Sequence, residues 1–114
     1  MKSNYTLYGI KNCSTVKKAC VWLEQHDIDY QFHDVRVDGL RLEQLHDFTA
    51  RVDWQLLLNR ASTTWRQLTP EQKTDVTLEK AVQLLHEYPT LLKRPVLDTG
   101  ERLIVGFIKG EYLL

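Results

Sequence analysis

The sequence has little of what small secreted, membrane-spanning and nucleic-acid-binding proteins depend on. Its 114 residues include only two cysteines, too few for a disulfide framework. No apolar run approaches the roughly 20 residues that span a bilayer, and the first residues lack the apolar stretch of a signal peptide. Basic and acidic residues number 15 each, so no excess of positive charge is available to neutralise phosphates. We therefore expect a cytoplasmic protein with reduced thiols that contacts neither membrane nor nucleic acid directly.

The remaining composition is that of a globular domain. Apolar residues make up 43% of the chain and charged residues 26%, and the length is close to that of a typical single domain. Residues 5–8 and 29–35 alternate in the manner of strands. Between them, Val16, Ala19 and Leu23 recur at helical spacing. A β-α-β unit of this length usually joins parallel strands.

The second half of the sequence predicts helices followed by a hairpin. Helical patterns fill residues 41–90 approximately, interrupted by a polar loop at residues 59–64. Thr69 and Thr77 are predicted to cap two of these helices, with Pro70 in the first turn of the earlier one. Residues 94–98 and 102–105 predict an antiparallel hairpin. The order of elements indicates an α/β, thioredoxin-like fold over residues 1–114, with a mixed four-stranded sheet and a helical insertion.

Cys13 follows the first predicted strand and precedes the first predicted helix, a position that suits a reactive thiol. Ser14 or Thr15 is expected to cap this helix. The unpaired backbone N–H groups of the first turn and the helix dipole both stabilise a thiolate there. Lys11 and Lys17 add positive charge nearby. The pattern predicts that Cys13 is a nucleophile, although a small buried apolar residue is the competing interpretation.

Cys20 lies on the apolar face of the same helix, and we interpret it as a packing residue. Its distance from Cys13 along a helix is about 10 Å, whereas a disulfide needs Cα atoms within about 7 Å. Val16 stands where a C-x-x-C motif would have its second cysteine. A redox cycle at Cys13 therefore needs an external thiol. Glutathione is the expected co-substrate, with no bound cofactor.

Metal chemistry is not expected. The four histidines of the sequence share no metal-ligand spacing with the two cysteines. The candidate site therefore consists of a thiol and cationic side chains, with no metal.

Four segments of the sequence carry a recognisable pattern. They are Tyr8–Ala19 (YGIKNCSTVKKA), Asp34–Gly39 (DVRVDG), Thr63–Arg66 (TTWR) and Lys93–Leu97 (KRPVL). Together they resemble the arsenate reductase (ArsC)/Spx family, and its YffB-like branch in particular, over nearly the whole chain. The resemblance implies a thioredoxin-like fold, Cys13 as the reactive thiol, and an Arg94 side chain that points at it. It also implies a cis peptide bond before Pro95, where cis is inexpensive.

The resemblance implies that Cys13 and Arg94 are catalytic. Contacts to substrate or glutathione are expected from five further residues: Lys11, Asn12, Lys17, Arg60 and Pro95. In arsenate reductases, arginines hold arsenate while the thiolate attacks arsenic. Of the three arginines that these enzymes use, the sequence matches one well, at Arg94, and Ala61 occupies the position of another. A glutathione-linked substrate or another small oxyanion therefore fits better than arsenate.

Two functions remain open at this point. The first hypothesis is a thiol-dependent reductase that uses glutathione. The alternative is a regulatory module, because Spx-type relatives bind RNA polymerase, although the C-x-x-C of their redox-sensing form is missing here. We expect a monomer in either case.

Overall fold

The computed structural model describes residues 4–114, which divide into two compact units. One unit comprises the chain up to Asp38 together with Arg94–Leu114, and the other is Gly39–Lys93. The predicted insertion at about residues 41–90 lies within the second unit. The assignment of all 114 residues to one domain stays a prediction.

The first unit contains a mixed four-stranded sheet in the order β2-β1-β3-β4. The strands are β1 (Thr6–Gly9), β2 (Gln31–Asp34), β3 (Val96–Asp98) and β4 (Leu103–Val105). The β1–β2 pair is parallel, whereas β1–β3 and β3–β4 are antiparallel. The sequence-based sheet is thus confirmed, with each strand inside or within two residues of its predicted bounds.

Two helices of different length accompany the first two strands. Helix α1 (Ser14–Gln25) connects β1 to β2, and the short α2 (Val35–Asp38) follows β2 directly. Helix α2 was not predicted, because the alternating pattern continues to Val35. Its start depends on the buried Asp34 carboxylate, which accepts hydrogen bonds from the backbone N–H groups of Arg36 (2.9 Å) and Val37 (3.3 Å).

The second unit is helical. It contains α3 (Leu42–Arg51), α4 (Thr63–Gln67), α5 (Pro70–Lys73) and α6 (Leu78–Glu87), with 3-10 turns at Trp54–Leu57 and Pro89–Leu91. The caps predicted at Thr69 and Thr77 are confirmed, since each hydroxyl accepts a hydrogen bond from the first turn of its helix. The polar loop predicted at 59–64 is too long. Helix α4 begins at Thr63 because the Ser62 hydroxyl caps it, accepting from Trp65 N at 3.1 Å.

The core of the first unit lies between the sheet and α1. Buried side chains come from both elements and from the last residues of the chain: Leu7, Val16, Ala19, Leu23, Leu97 and Tyr112. Gly9 permits the closest approach. A Cβ at this position would lie 2.8 Å from both methyl carbons of Val16, so only glycine lets the end of β1 meet the first turn of α1 in this way.

Tyr112 brings an unusual polar group into this core. The residue is 5% exposed, and its ring contacts the rings of Trp22 and Phe107 edge-on at 5.4 and 4.8 Å between centroids. Within residues 4–114 its buried hydroxyl has no hydrogen-bond partner. Burial raises the pKa of Tyr112 above its ordinary value, and the nearby Cys20 adds to the rise.

We expect Tyr112→Phe to preserve or raise the free energy of unfolding at neutral pH, because an unpaired buried hydroxyl costs about 1–3 kcal/mol. Above the ordinary tyrosine pKa of about 10, the phenol ionises more readily in the unfolded chain than in the folded one. The native protein then loses stability by up to about 1.4 kcal/mol per pH unit. The variant lacks the part of this loss that Tyr112 contributes. Urea unfolding at neutral and alkaline pH measures both effects.

Tyr88→Phe is the matched control. The Tyr88 hydroxyl accepts a hydrogen bond from Gln72 Nε2 at 3.3 Å, so its removal should destabilise the protein at neutral pH. If Tyr112→Phe destabilised the protein as much as Tyr88→Phe does, the account of an unpaired hydroxyl would be wrong.

Candidate active site

Cys13 is the N-cap residue of α1. Its backbone is extended (φ −115°, ψ 121°), and its carbonyl accepts a hydrogen bond from Lys17 N at 3.0 Å. The prediction that Ser14 or Thr15 caps the helix is wrong, because α1 begins at Ser14 and both residues lie inside it. The Cys13 side chain makes no capping hydrogen bond. The half-buried thiol therefore lies at the positive end of the helix dipole.

Helix α1 carries its charges in the order opposite to the one that stabilises a helix. Among residues 14–25, the first turn has no acidic residue and the last turn has no basic residue. Instead, Lys17 and Lys18 lie near the start and Glu24 near the end. A charge that opposes the dipole destabilises a helix by about 0.3–1 kcal/mol. The arrangement thus lowers helix stability while it concentrates positive potential beside Cys13.

The strand register brings distant segments to the end of the sheet where Cys13 lies. Tyr8 in β1 is opposite Val96 in β3, and Val96 is opposite Val105 in β4, both in antiparallel pairs. The carboxyl ends of β1 and β4 and the amino end of β3 are therefore at the same end of the sheet. Three segments meet there: residues 10–13, Arg94–Pro95, and Gly106 with Phe107.

The peptide bond between Arg94 and Pro95 is cis, as the family resemblance implies. The Pro95 carbonyl accepts a hydrogen bond from Gly106 N at 2.8 Å, which ties this bend to the end of β4. Arg94 is half-buried and its Nε atom is enclosed. A guanidinium can bind a carboxylate or an oxyanion through two parallel hydrogen bonds. Direct contact between Arg94 and the Cys13 thiol stays a prediction that the register supports.

The other predicted contact residues divide between the two units. Lys11, Asn12 and Lys17 are exposed and belong to the unit that contains Cys13. Arg60 belongs to Gly39–Lys93, where its guanidinium carbon lies 5.5 Å from the centre of the Trp65 ring. A substrate-binding role for Arg60 stays a prediction.

Cys20 is half-buried and packs against the core of the first unit, as a packing residue should. It has a polar neighbour that the sequence pattern did not reveal. Burial raises the pKa of Tyr30 well above its ordinary value, and a hydrogen bond to the Cys20 sulfur contributes next. The contact between Cys20 and Tyr30 could not be predicted from the sequence, because the two residues are ten positions apart and Tyr30 lies outside α1.

Residues 4–114 offer neither a cluster of metal ligands nor a helix that could span a membrane. No group of three or more histidine, cysteine, aspartate or glutamate side chains is placed to hold a metal ion. None of the helices in this range is both long enough and apolar enough to cross a bilayer.

Comparison with known proteins assigns this chain to a family. The model of the ArsC family matches residues 8–113. An uncharacterised protein of Haemophilus influenzae is 45% identical over 107 residues, which cover 94% of each chain. The solved structure of a protein called YffB is 47% identical, with a TM-score of 0.87 and 91% of each chain covered. An ArsC-related protein from Brucella melitensis is 46% identical, with a TM-score of 0.77, and covers 98% of this chain and 92% of its own.

More distant relatives include transcription regulators. The global transcriptional regulator Spx of Lactiplantibacillus plantarum is 28% identical over 107 residues, which cover 92% of this chain and 80% of that protein. The likeness spans both units rather than one motif.

The charge arrangement of α1 leads to a stability–reactivity prediction for Lys17→Glu. An acidic residue near the start of the helix complements the dipole, so the free energy of unfolding should rise by about 0.3–1 kcal/mol. The alkylation of Cys13 by the neutral reagent iodoacetamide should slow, because the positive potential at the thiol falls. Urea unfolding and alkylation rates, both in a Cys20→Ser background, measure the two changes.

Lys73→Glu, in the last turn of α5, is the control and should leave the alkylation rate unchanged. An unchanged alkylation rate in Lys17→Glu would contradict the assigned effect of the α1 charges on Cys13.

Proposed function

Because this chain belongs to the ArsC family, we propose that it is a glutathione-dependent thiol reductase with Cys13 as its only nucleophile. The observation that carries the proposal is the isolation of the Cys13 thiol at a cationic helix start. Both cysteines are free, and the sequence has no third. Cys20 is seven residues further along α1, about 10 Å away, so it cannot reach Cys13 unless the helix unwinds.

The reaction has two thiol–disulfide exchange steps. The Cys13 thiolate attacks the glutathione sulfur of a mixed disulfide R–S–S–G, where G–S is the glutathione moiety. The new Cys13–glutathione disulfide forms, and R–S⁻ leaves with the bonding electron pair and takes a proton from water. The thiolate of a second glutathione then attacks the bound glutathione sulfur. Oxidised glutathione leaves, and the Cys13 thiolate is restored.

The cationic residues of the first unit have distinct roles in this scheme. Lys11 and Lys17 attract the carboxylates of glutathione, and Asn12 offers a side-chain amide for hydrogen bonding. Arg94 binds an anionic part of the substrate, and Pro95 shapes the backbone at the same end of the sheet. Arg60 would add a further contact to the anion.

A small oxyanion is the second kind of substrate that this site suits. A thiolate beside a guanidinium can attack an oxyanion centre while the arginine neutralises its charge. The sequence has one well-matched arginine in place of the three that arsenate reductases use. We therefore rank the glutathione mixed disulfide above arsenate.

A regulatory role is the second candidate function, because proteins named global transcriptional regulator Spx align with 92% of this chain. Such a role would rest on binding RNA polymerase rather than on chemistry at the thiol. A pull-down from cell extract separates the two roles. Stoichiometric recovery of polymerase by both the native protein and Cys13→Ser would favour binding over catalysis.

We predict that oxidised glutathione converts the native protein into a species that carries a single glutathione on Cys13. Intact-mass and peptide mass spectrometry should locate the adduct, and reduced glutathione should remove it. Cys20→Ser should form the adduct at the native rate. Cys13→Ser should form none, because Cys20 is half-buried, packs against the core and lies about two helical turns from the start of α1.

Lys11→Gln is the informative variant for binding. It should slow adduct formation by up to about fivefold, the upper limit for the loss of one surface ion pair of about 0.2–1 kcal/mol. The reductase proposal fails if the native protein forms no adduct, or if glutathione attaches to Cys20 instead.

A further inference from the structure

An open groove of about 450 Å³ lies beside α1. Of the residues proposed to act with Cys13, only Lys11 and Lys17 line it. Its wall is apolar and consists of Ile10, Val16, Cys20, Val21 and Phe32, which come from the β1–α1 loop, α1 and β2. Val21 is 49% exposed. Apolar surface gathered in a concave site is typical of ligand binding.

Cys13 does not line the groove, but several residues of α1 that do line it share a helix face with Cys13. From Cys13, the lining residues Val16, Lys17 and Cys20 follow at three, four and seven positions along α1, which places them on the same helix face. One helical turn advances about 5.4 Å. An apolar chain attached to a sulfur at Cys13 would therefore enter the groove within one turn of the helix.

Charge defines which end of a ligand faces the thiol. The groove includes Lys11, two residues before Cys13, and Lys17, one turn after it. Cys20, Val21 and Phe32 line the part of the groove further along the helix. The groove therefore fits a molecule whose anionic part lies near Cys13 and whose apolar part extends along α1.

We propose that this groove is the subsite for the apolar group R of a glutathione mixed disulfide, which makes apolar organic disulfides of glutathione the preferred substrate class. This inference rests on the proposed reductase function. Glutathione carboxylates pair with Lys11 and Lys17, and R lies against Val21 and Phe32. Cys13 attacks the glutathione sulfur, and R–SH leaves from the groove after it takes a proton from water.

Calorimetric titration of Cys13→Ser with S-alkylglutathiones tests the groove without any reaction. S-methyl-, S-butyl- and S-hexylglutathione share the same charges and differ only in chain length. A fully buried methylene strengthens binding about threefold to fourfold, so in this open groove S-hexylglutathione should bind about tenfold more tightly than S-methylglutathione. The heat capacity change of binding should also become more negative as the alkyl chain lengthens.

Val21→Ser and Val37→Ser, each combined with Cys13→Ser, test whether the dependence of affinity on chain length arises in the groove. Both valines are exposed, Val21 at 49% and Val37 at 73%, and only Val21 lines the groove. Val21→Ser should weaken the binding of S-hexylglutathione about threefold and leave S-methylglutathione unchanged. Val37→Ser should change neither. Circular dichroism verifies that each variant is folded.

The proposal is overturned if affinity does not depend on chain length, or if Val21→Ser and Val37→Ser behave alike. It is also overturned if sedimentation shows that a second copy of the chain covers the groove. Adduct formation on native Cys13 is independent of these outcomes. An adduct without chain-length dependence leaves the reductase function standing and removes the groove as a subsite. Chain-length dependence without an adduct shows that the groove binds apolar chains, but it overturns the reductase function and with it the substrate class.

Discussion

The close contact between the end of β1 and the first turn of α1 is the constraint on which the candidate site depends. Gly9 permits it, because any Cβ there would collide with Val16. The contact allows the first turn of α1 to approach the end of β1 closely, and Cys13, rather than Ser14 or Thr15, is the N-cap residue of this turn. The thiol consequently lies before the unpaired N–H groups of the helix, and the apolar groove begins within one turn of it.

The charges of α1 support a functional interpretation of this geometry. A helix that served only to cover the sheet would gain stability from acidic residues at its start and basic residues at its end. This helix has neither. Natural sequences accept such local conflicts mainly at functional sites. The lysines around the helix start therefore agree with the proposed binding of an anion, since they do not stabilise the helix itself.

Periodicity and cap chemistry were enough to predict most of the fold. The strands, α1 and the caps at Thr69 and Thr77 depend on neighbouring residues, which a sequence displays. The start of α1 was missed because Ser14 and Thr15 are good capping residues, whereas the helix begins after Cys13, whose side chain makes no capping hydrogen bond. The meeting of residues 10–13 and Arg94–Pro95 at one end of the sheet depends on Tyr8 lying opposite Val96. These two residues are too far apart in the sequence for a local pattern to reveal their pairing. Tyr112 was missed because the last residues carry no periodic pattern.

The most direct test of the account is the ionic-strength dependence of the reaction between Cys13 and oxidised glutathione in Cys20→Ser. A thiolate alone repels this anionic disulfide, so added salt would speed the reaction by screening. If attraction by the lysines and by the start of α1 outweighs this repulsion, added salt must slow the reaction. We predict a falling rate constant between about 0.01 M and 1 M salt, over which the Debye length shrinks from about 30 Å to about 3 Å. The neutral 2-hydroxyethyl disulfide should show little change, and a rate with oxidised glutathione that rises with salt would contradict the account.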